Sequence, residues 1–188
     1  KIFLVSTECI WIGSDGDGLI KLNPLNNQVK YYKNNPNEPN SISNNSVGEI
    51  FRDRVGNLWL GTYGGGLNRF EVENEKFIHY RHDPKNPNSI SNDLLTSIYE
   101  DNNGILWIGT AQGLNKFNPK DGTFTHYFEK DGLPNDFIYG ILPDNNGNFW
   151  ISTNKGITRF NENKPDHLGK IFKNYDVKDG LQSNEFNA

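Results

Sequence analysis

The chain has 188 residues, 34% hydrophobic and 13% aromatic, with a formal charge of -4. That length predicts one domain or a small pair, and an acidic balance without a basic face argues against a nucleic-acid partner. No run of 18 apolar residues occurs, so neither a membrane-spanning helix nor a secretory leader is predicted.

The first strand-like stretch is Ile2-Phe3-Leu4-Val5, and the chain contains no methionine. Together these features predict a piece of a longer polypeptide. Cys9 stands alone and cannot form an internal disulfide; its apolar neighbours predict a buried, inert thiol.

Ile10-Trp11-Ile12-Gly13-Ser14 then leads through a turn into Gly18-Leu19-Ile20-Lys21-Leu22. The same signature returns as Leu58-Trp59-Leu60-Gly61-Thr62 with Gly66-Leu67-Asn68-Arg69-Phe70, and as Leu106-Trp107-Ile108-Gly109-Thr110 with Gly113-Leu114-Asn115-Lys116-Phe117. It closes with Phe149-Trp150-Ile151-Ser152-Thr153 and Gly156-Ile157-Thr158-Arg159-Phe160. All four tryptophans occupy this one place, spaced by 48, 48 and 43 residues. A fixed period of that length marks copies of one supersecondary unit.

Within a copy, an apolar stretch ends in Asp53, Asp101 or Asp144, and an Asp-x-x-Gly turn precedes the tryptophan. The aspartate can bond the turn backbone and the glycine can take positive φ, as a tight hairpin needs. A Gly-rich turn, a third apolar stretch and a fourth ending in Tyr32, Tyr80, Tyr127 or Tyr175 complete the unit. Four alternating stretches in about 45 residues predict a four-stranded blade, with strands a to d running outward from a central axis. The fold class is therefore all-β, a β-propeller of four-stranded antiparallel blades, four of them here and part of a larger propeller.

The blades are expected at about 1–33, 46–80, 94–128 and 137–175, with the start of a fifth strand a at 184–188. Small residues at Gly48, Ser97 and Gly140 are expected where strands crowd at the axis. The fourth blade carries an insertion, 161–169, in its outer hairpin. Lys178-Asp179-Gly180-Leu181-Gln182-Ser183-Asn184-Glu185-Phe186 echoes Lys130-Asp131-Gly132-Leu133-Pro134-Asn135-Asp136-Phe137 with one residue inserted.

Leu-Trp-Ile-Gly-Thr-x-x-Gly-Leu-Asn-x-Phe, preceded by Asp-Asn-Asn-Gly and followed by Asp-Gly-Leu-Pro-Asn, resembles the two-component regulator propeller repeat. The resemblance spans essentially the whole chain; the second and third copies match best, and the first departs where Thr7-Glu8 replaces the Asp-x-x-Gly turn. It implies the sensor region of a membrane-bound hybrid histidine kinase, periplasmic or extracellular, with an oligosaccharide as a common type of ligand. Family members carry about seven blades, which leaves closure of four blades open. Two chains meeting edge to edge as a homodimer are an expected alternative.

A residue present in every copy serves the blade, whereas one unique to a copy is free for a ligand. By that filter the tryptophans and the turn aspartates are structural, and the repeated Asn68/Asn115 and Arg69/Lys116 are solvated or lie between blades. In a propeller the b–c turns and d–a connections share one face. There Asn44-Asn45, Asn92-Asp93, Asn135-Asp136 and Asn184-Glu185 would offer amides and carboxylates to a hydroxyl-rich ligand, or would cap their own loops. The b–c turns add Tyr63, for stacking, and Lys155. The candidate ligand-binding set is thus Asn45, Tyr63, Asp93, Asp136, Lys155 and Glu185.

Asp15 and Asp17 have the spacing of a calcium loop, but Asn26 stands where its twelfth-position acid belongs. The histidines 79, 82, 126 and 167 lack ligand spacing, so no metal or other cofactor is expected. Catalysis would need converging acids such as Asp93, Asp136 and Glu185, and no nucleophile elbow is present. The expected function is a ligand-binding sensor module. A propeller mediating protein–protein contacts is the alternative, and a polysaccharide-acting enzyme is the weakest of the three.

Overall fold

The computed structural model describes residues 1–6 and 9–185. The Thr7-Glu8 turn and the strand expected to open at Phe186 lie outside the described residues.

Four antiparallel sheets of four strands follow one another along the chain. The first contains β1 (Ile2–Ser6), β2 (Cys9–Gly13), β3 (Leu19–Asn23) and β4 (Gln28–Tyr32). The second contains β5 (Val47–Arg52), β6 (Leu58–Thr62), β7 (Leu67–Glu71) and β8 (Lys76–Tyr80). Next come β9 (Leu95–Glu100), β10 (Leu106–Thr110), β11 (Gly113–Asn118) and β12 (Thr123–Tyr127). The fourth sheet contains β13 (Ile138–Pro143), β14 (Phe149–Thr153), β15 (Gly156–Phe160) and β16 (Phe172–Tyr175). Strands neighbour each other in chain order within every sheet, which is the blade of a β-propeller. The expected insertion runs between β15 and β16.

The register is the same from blade to blade. Trp11 stands opposite Lys21, Trp59 opposite Arg69, Trp107 opposite Lys116 and Trp150 opposite Arg159. The indole Nε1 of Trp59 donates to Asp53 Oδ2 at 2.8 Å, that of Trp107 to Asp101 Oδ2 at 3.0 Å and that of Trp150 to Asp144 Oδ2 at 3.2 Å. A buried indole N–H needs an acceptor, and the hairpin aspartate supplies it while also accepting backbone N–H groups from its own turn. At Asp144 the bonds from Asn148, Asn146 and Trp150 hold the carboxyl down to about 2.

The chain divides into two compact units, 1–98 and 99–188. In unit 1 the ring of Trp11 meets Phe70 of the next blade edge-on at 5.4 Å, and Tyr32 meets the same ring at 5.1 Å. Unit 2 repeats the arrangement: Trp107 and Tyr127 each lie 5.2 Å from Phe160. Period-two alternation explains this packing, because each blade presents an apolar row on both faces.

A polar clasp seals both contacts at the outer edge. Tyr32 Oη donates to Glu75 Oε1 at 2.9 Å, and Lys30 Nζ pairs with the other oxygen of Glu75. In unit 2, Tyr127 Oη donates to Glu162 Oε1 at 2.7 Å, and Lys116 Nζ reaches Glu162 Oε2 at 2.5 Å. Glu75 holds its place at φ +55°, a left-handed conformation uncommon outside glycine.

Burial first, and then the facing carboxylate, push both tyrosine hydroxyls well above their ordinary range. A group whose folded pKa is raised stabilises fully below its unfolded value, about pH 10, and loses that contribution as pH climbs through the folded value. We therefore expect Tyr127→Phe to cost about 1–2 kcal/mol at neutral pH and to flatten the loss of stability above about pH 10. Urea titrations across pH test this, and an alkaline limb as steep as in the parent chain would contradict it.

Candidate ligand-binding face

The connections between blades are built around one apolar plug each. Ile42 and Ile90 are fully buried, and Leu133 is nearly so, so the repeated Ser-Ile-Ser motif anchors a loop whose flanking residues are polar. Side chains from the blades fasten these loops. Asn68 Oδ1 accepts from Ser43 N at 3.0 Å and its Nδ2 donates to Ser43 Oγ at 2.7 Å. His79 Nε2 lies 2.7 Å from Ser41 O, and His82 Nδ1 lies 2.8 Å from Ile90 O. Asn68 and Asn115 are fully buried rather than solvated, and His82 serves its loop. Sequence reading missed these anchors, although the pairing of Ser-Ile-Ser with a repeated asparagine was the available signal.

Each connection also holds the b–c turn of the blade before it. The carbonyl of Asn45 accepts from Gly16 N at 3.1 Å and Gly18 N at 2.8 Å; that of Asp93 accepts from Gly64 N and Gly66 N, both at 2.9 Å. In unit 2 the carbonyl of Asp136 accepts from Gly113 N at 2.7 Å, and that of Asn184 from Gly156 N at 2.5 Å. The b–c turns and the connections thus lie side by side, as the blade topology requires.

The side chains of the same residues turn inward. Asn45 Oδ1 accepts from Asn34 N at 2.7 Å, Asp93 Oδ1 from His82 N at 2.7 Å, Asp136 Oδ1 from Glu129 N at 2.6 Å and Asn184 Oδ1 from Val177 N at 3.2 Å. One residue per connection therefore clamps both its own loop and the neighbouring turn. This equivalence corrects the sequence register at the end of the chain. Asn184, not Glu185, is the counterpart of Asp136, so the echo runs without an inserted residue from Lys178 to Glu185. Glu185 is exposed, and its N–H donates to Ser183 Oγ at 3.1 Å, as Phe137 N does to Asn135 Oδ1.

Loop clamping leaves hydrogen-bonding capacity unused. Asp136 Oδ2 and Asn45 Nδ2 have no partner among the described residues, and a carboxylate has more lone-pair sites than one N–H fills. Asp93 Oδ2 has only a long contact, 3.5 Å, to Arg81 Nη2. Lys155 is exposed and pairs with Glu129 at 3.4 Å.

Tyr63 differs from all its counterparts. It is 50% exposed, and its ring sits so close to Gly48 that a Cβ there would lie 2.5 Å from ring carbons. Gly48 is small enough to admit this ring. In unit 1 the structure places Asn45, Tyr63 and Asp93 on the connections and turns of one face. In unit 2 Asp136 and Lys155 lie on a connection and a b–c turn, whereas Glu185 lies one residue past the clamp position, which Asn184 holds. Among the described residues no three His, Cys, Asp or Glu side chains gather as a metal site, and no helix is long and apolar enough to cross a membrane.

No curated protein sequence matches the chain. Among solved structures it is similar to the extracellular domain of the hybrid two-component system BT3049 of B. thetaiotaomicron, with 26% identity and a TM-score of 0.76 over 92% of this chain and 22% of that one. It is equally similar to the extracellular domain of the one-component system BT4673 of the same organism, at 26% identity and TM-score 0.76, over 94% of this chain and 25% of that one. The chain thus spans about a quarter of the length of these relatives. Virginiamycin B lyase of Staphylococcus aureus shares the fold alone, at 19% identity and TM-score 0.65 over 93% of this chain and 54% of the lyase. The sequence profile described as two component regulator propeller matches residues 41–64, 89–112 and 132–155, each running from a connection through strand a to the b–c turn. Three stretches of this chain, one in each of the second, third and fourth repeats, are thus similar to the two-component regulator propeller repeat.

Proposed function

We propose that this chain forms part of the extracellular sensor region of a two-component signalling protein. Its face of b–c turns and connections receives a polar, hydroxyl-rich ligand, of which an oligosaccharide is the type. The observation that carries the reading is Tyr63: a half-exposed aromatic ring, unique to one repeat and seated on a glycine, beside the amides and carboxylates of the connections. Aromatic faces stack on the C–H faces of sugars, and amides and carboxylates bond their hydroxyls. The repeat family and the extracellular domains it resembles support the same reading. No reaction is assigned to the chain, and its role is recognition.

Isothermal titration against a panel of neutral oligosaccharides tests the proposal. A saccharide that binds the parent chain should bind Tyr63→Ala about tenfold more weakly, with thermal unfolding unchanged because the ring is not part of the core. Lack of any binding across the panel would favour a scaffold that acts through protein contacts. Turnover of a saccharide, lost in Asp93→Asn, would instead make the chain an enzyme.

A further inference from the structure

A groove in unit 2, with a volume of about 1060 Å³, borders the clamp of Asp136, whose hydrogen-bond partner Glu129 lines it. One wall is the end of β12 with the short 3-10 helix Glu129–Asp131; the other is formed by the insertion and β16. Asn174 Nδ2 donates to Gly132 O at 3.0 Å and ties the two walls together. Lys130, Arg159, Lys170 and Lys173 border the groove, as do His126 and His167, opposed by Glu129, Asp131 and Asp166.

The acids are already engaged. Asp131 Oδ2 accepts from Phe128 N at 2.9 Å. Asp166 Oδ1 accepts from Leu168 N at 2.8 Å and Lys170 N at 2.9 Å, bonds that draw its carboxyl below the ordinary range. Glu129 is shared between Asn135 and Lys155. None of the four cations has an ion pair among the described residues. Lys130 and Lys173 lie over the rings of Phe128 and Tyr175, each at 5.2 Å. Arg159 and Lys173 are direct cross-strand partners, and like charges so placed destabilise a sheet unless something neutralises them. In the other blade of this unit Lys116 faces Thr125 across the strands and is neutralised by Glu162. The fourth blade has doubled the charge and supplied no carboxylate for it.

We propose that this groove binds an anionic oligosaccharide, one carrying carboxylate or sulfate groups on successive sugar units. The groove is open and larger than a single inorganic anion requires, so several weak charge contacts along one chain provide the recognition. The site uses residues other than Tyr63, and its test separates the two readings.

The test is titration of the chain with an oligogalacturonate hexamer, a sulfated hexasaccharide and, as neutral control, maltohexaose. Either acidic probe should bind, and which of them binds tighter identifies the anionic group. The triple variant Lys130→Gln/Lys170→Gln/Lys173→Gln should lose at least about tenfold in affinity and much of the salt dependence, with thermal unfolding no lower than in the parent chain. Tyr63→Ala should leave the binding of the acidic probe intact. Equal binding of maltohexaose would overturn the proposal, as would unchanged affinity in the triple variant or no binding of either acidic probe. A single-stranded oligonucleotide bound as tightly as the acidic saccharides would reduce the groove to general polyanion attraction, with the same consequence.

Discussion

Trp59→Ala should destabilise the chain by about 3–5 kcal/mol, the range for truncating a buried large aromatic side chain. Trp59 is fully buried, tilted against Tyr80 at 5.9 Å between centroids, and its Nε1 donates to Asp53 Oδ2. Truncation leaves a cavity and also removes one donor from a carboxylate that is itself buried. Trp59→Phe separates the two effects. It keeps much of the apolar volume but not the N–H, and should cost about 1–3 kcal/mol, the penalty for a buried polar group losing its partner. Urea unfolding followed by far-ultraviolet circular dichroism measures both without relying on the tryptophan signal. A loss below about 1 kcal/mol for the alanine variant would remove Trp59 from the structural centre of its blade.

Gly66→Ala is expected to cost about 2–5 kcal/mol, although it adds a single methyl group. Gly66 sits at φ +77°, and a Cβ there would come within 2.4 Å of the carbonyl oxygen of Tyr80 and 2.9 Å of Asp93 Oδ1. Its N–H also donates to the Asp93 carbonyl, so the turn cannot swing away without releasing the connection that follows. Backbone strain and a backbone clash therefore act together. Gly104→Ala is the control: its φ is +79°, yet the nearest neighbour of a Cβ is the Glu100 side chain at 3.7 Å. It should show the cost of the left-handed backbone alone, about 1–2 kcal/mol. Equal losses for the two variants would mean that the close approach to Tyr80 contributes nothing.

Local chemistry made the blades readable in advance. The recurrence of Trp11, Trp59, Trp107 and Trp150, the Asp-x-x-Gly turns and the alternation between them are short-range signals. They act over a hairpin, where a two-residue period and a turn residue are enough to fix the strands. The shared location of b–c turns and connections was equally legible, because it follows from strand order within a blade.

The roles of the polar residues were not readable in the same way. Nothing local distinguishes Glu75 from any exposed glutamate. It becomes a clasp only because Tyr32 and Lys30 reach it from a neighbouring blade. The same holds for Asn45, Asp93 and Asp136, which sequence reading offered as ligand contacts and whose side chains also clamp loops.

The sequence by itself determined the blade, its four strands, its turns and its apolar rows, because each depends on residues close together along the chain. Tertiary structure alone decided which carboxylates are engaged and which cations are not, and why Gly48 must be small. Hydrogen bonds and charge pairs are settled over a few ångströms between segments far apart in sequence, as Tyr32 and Glu75 are, at 43 residues. Only the folded packing of one blade on the next sets those distances.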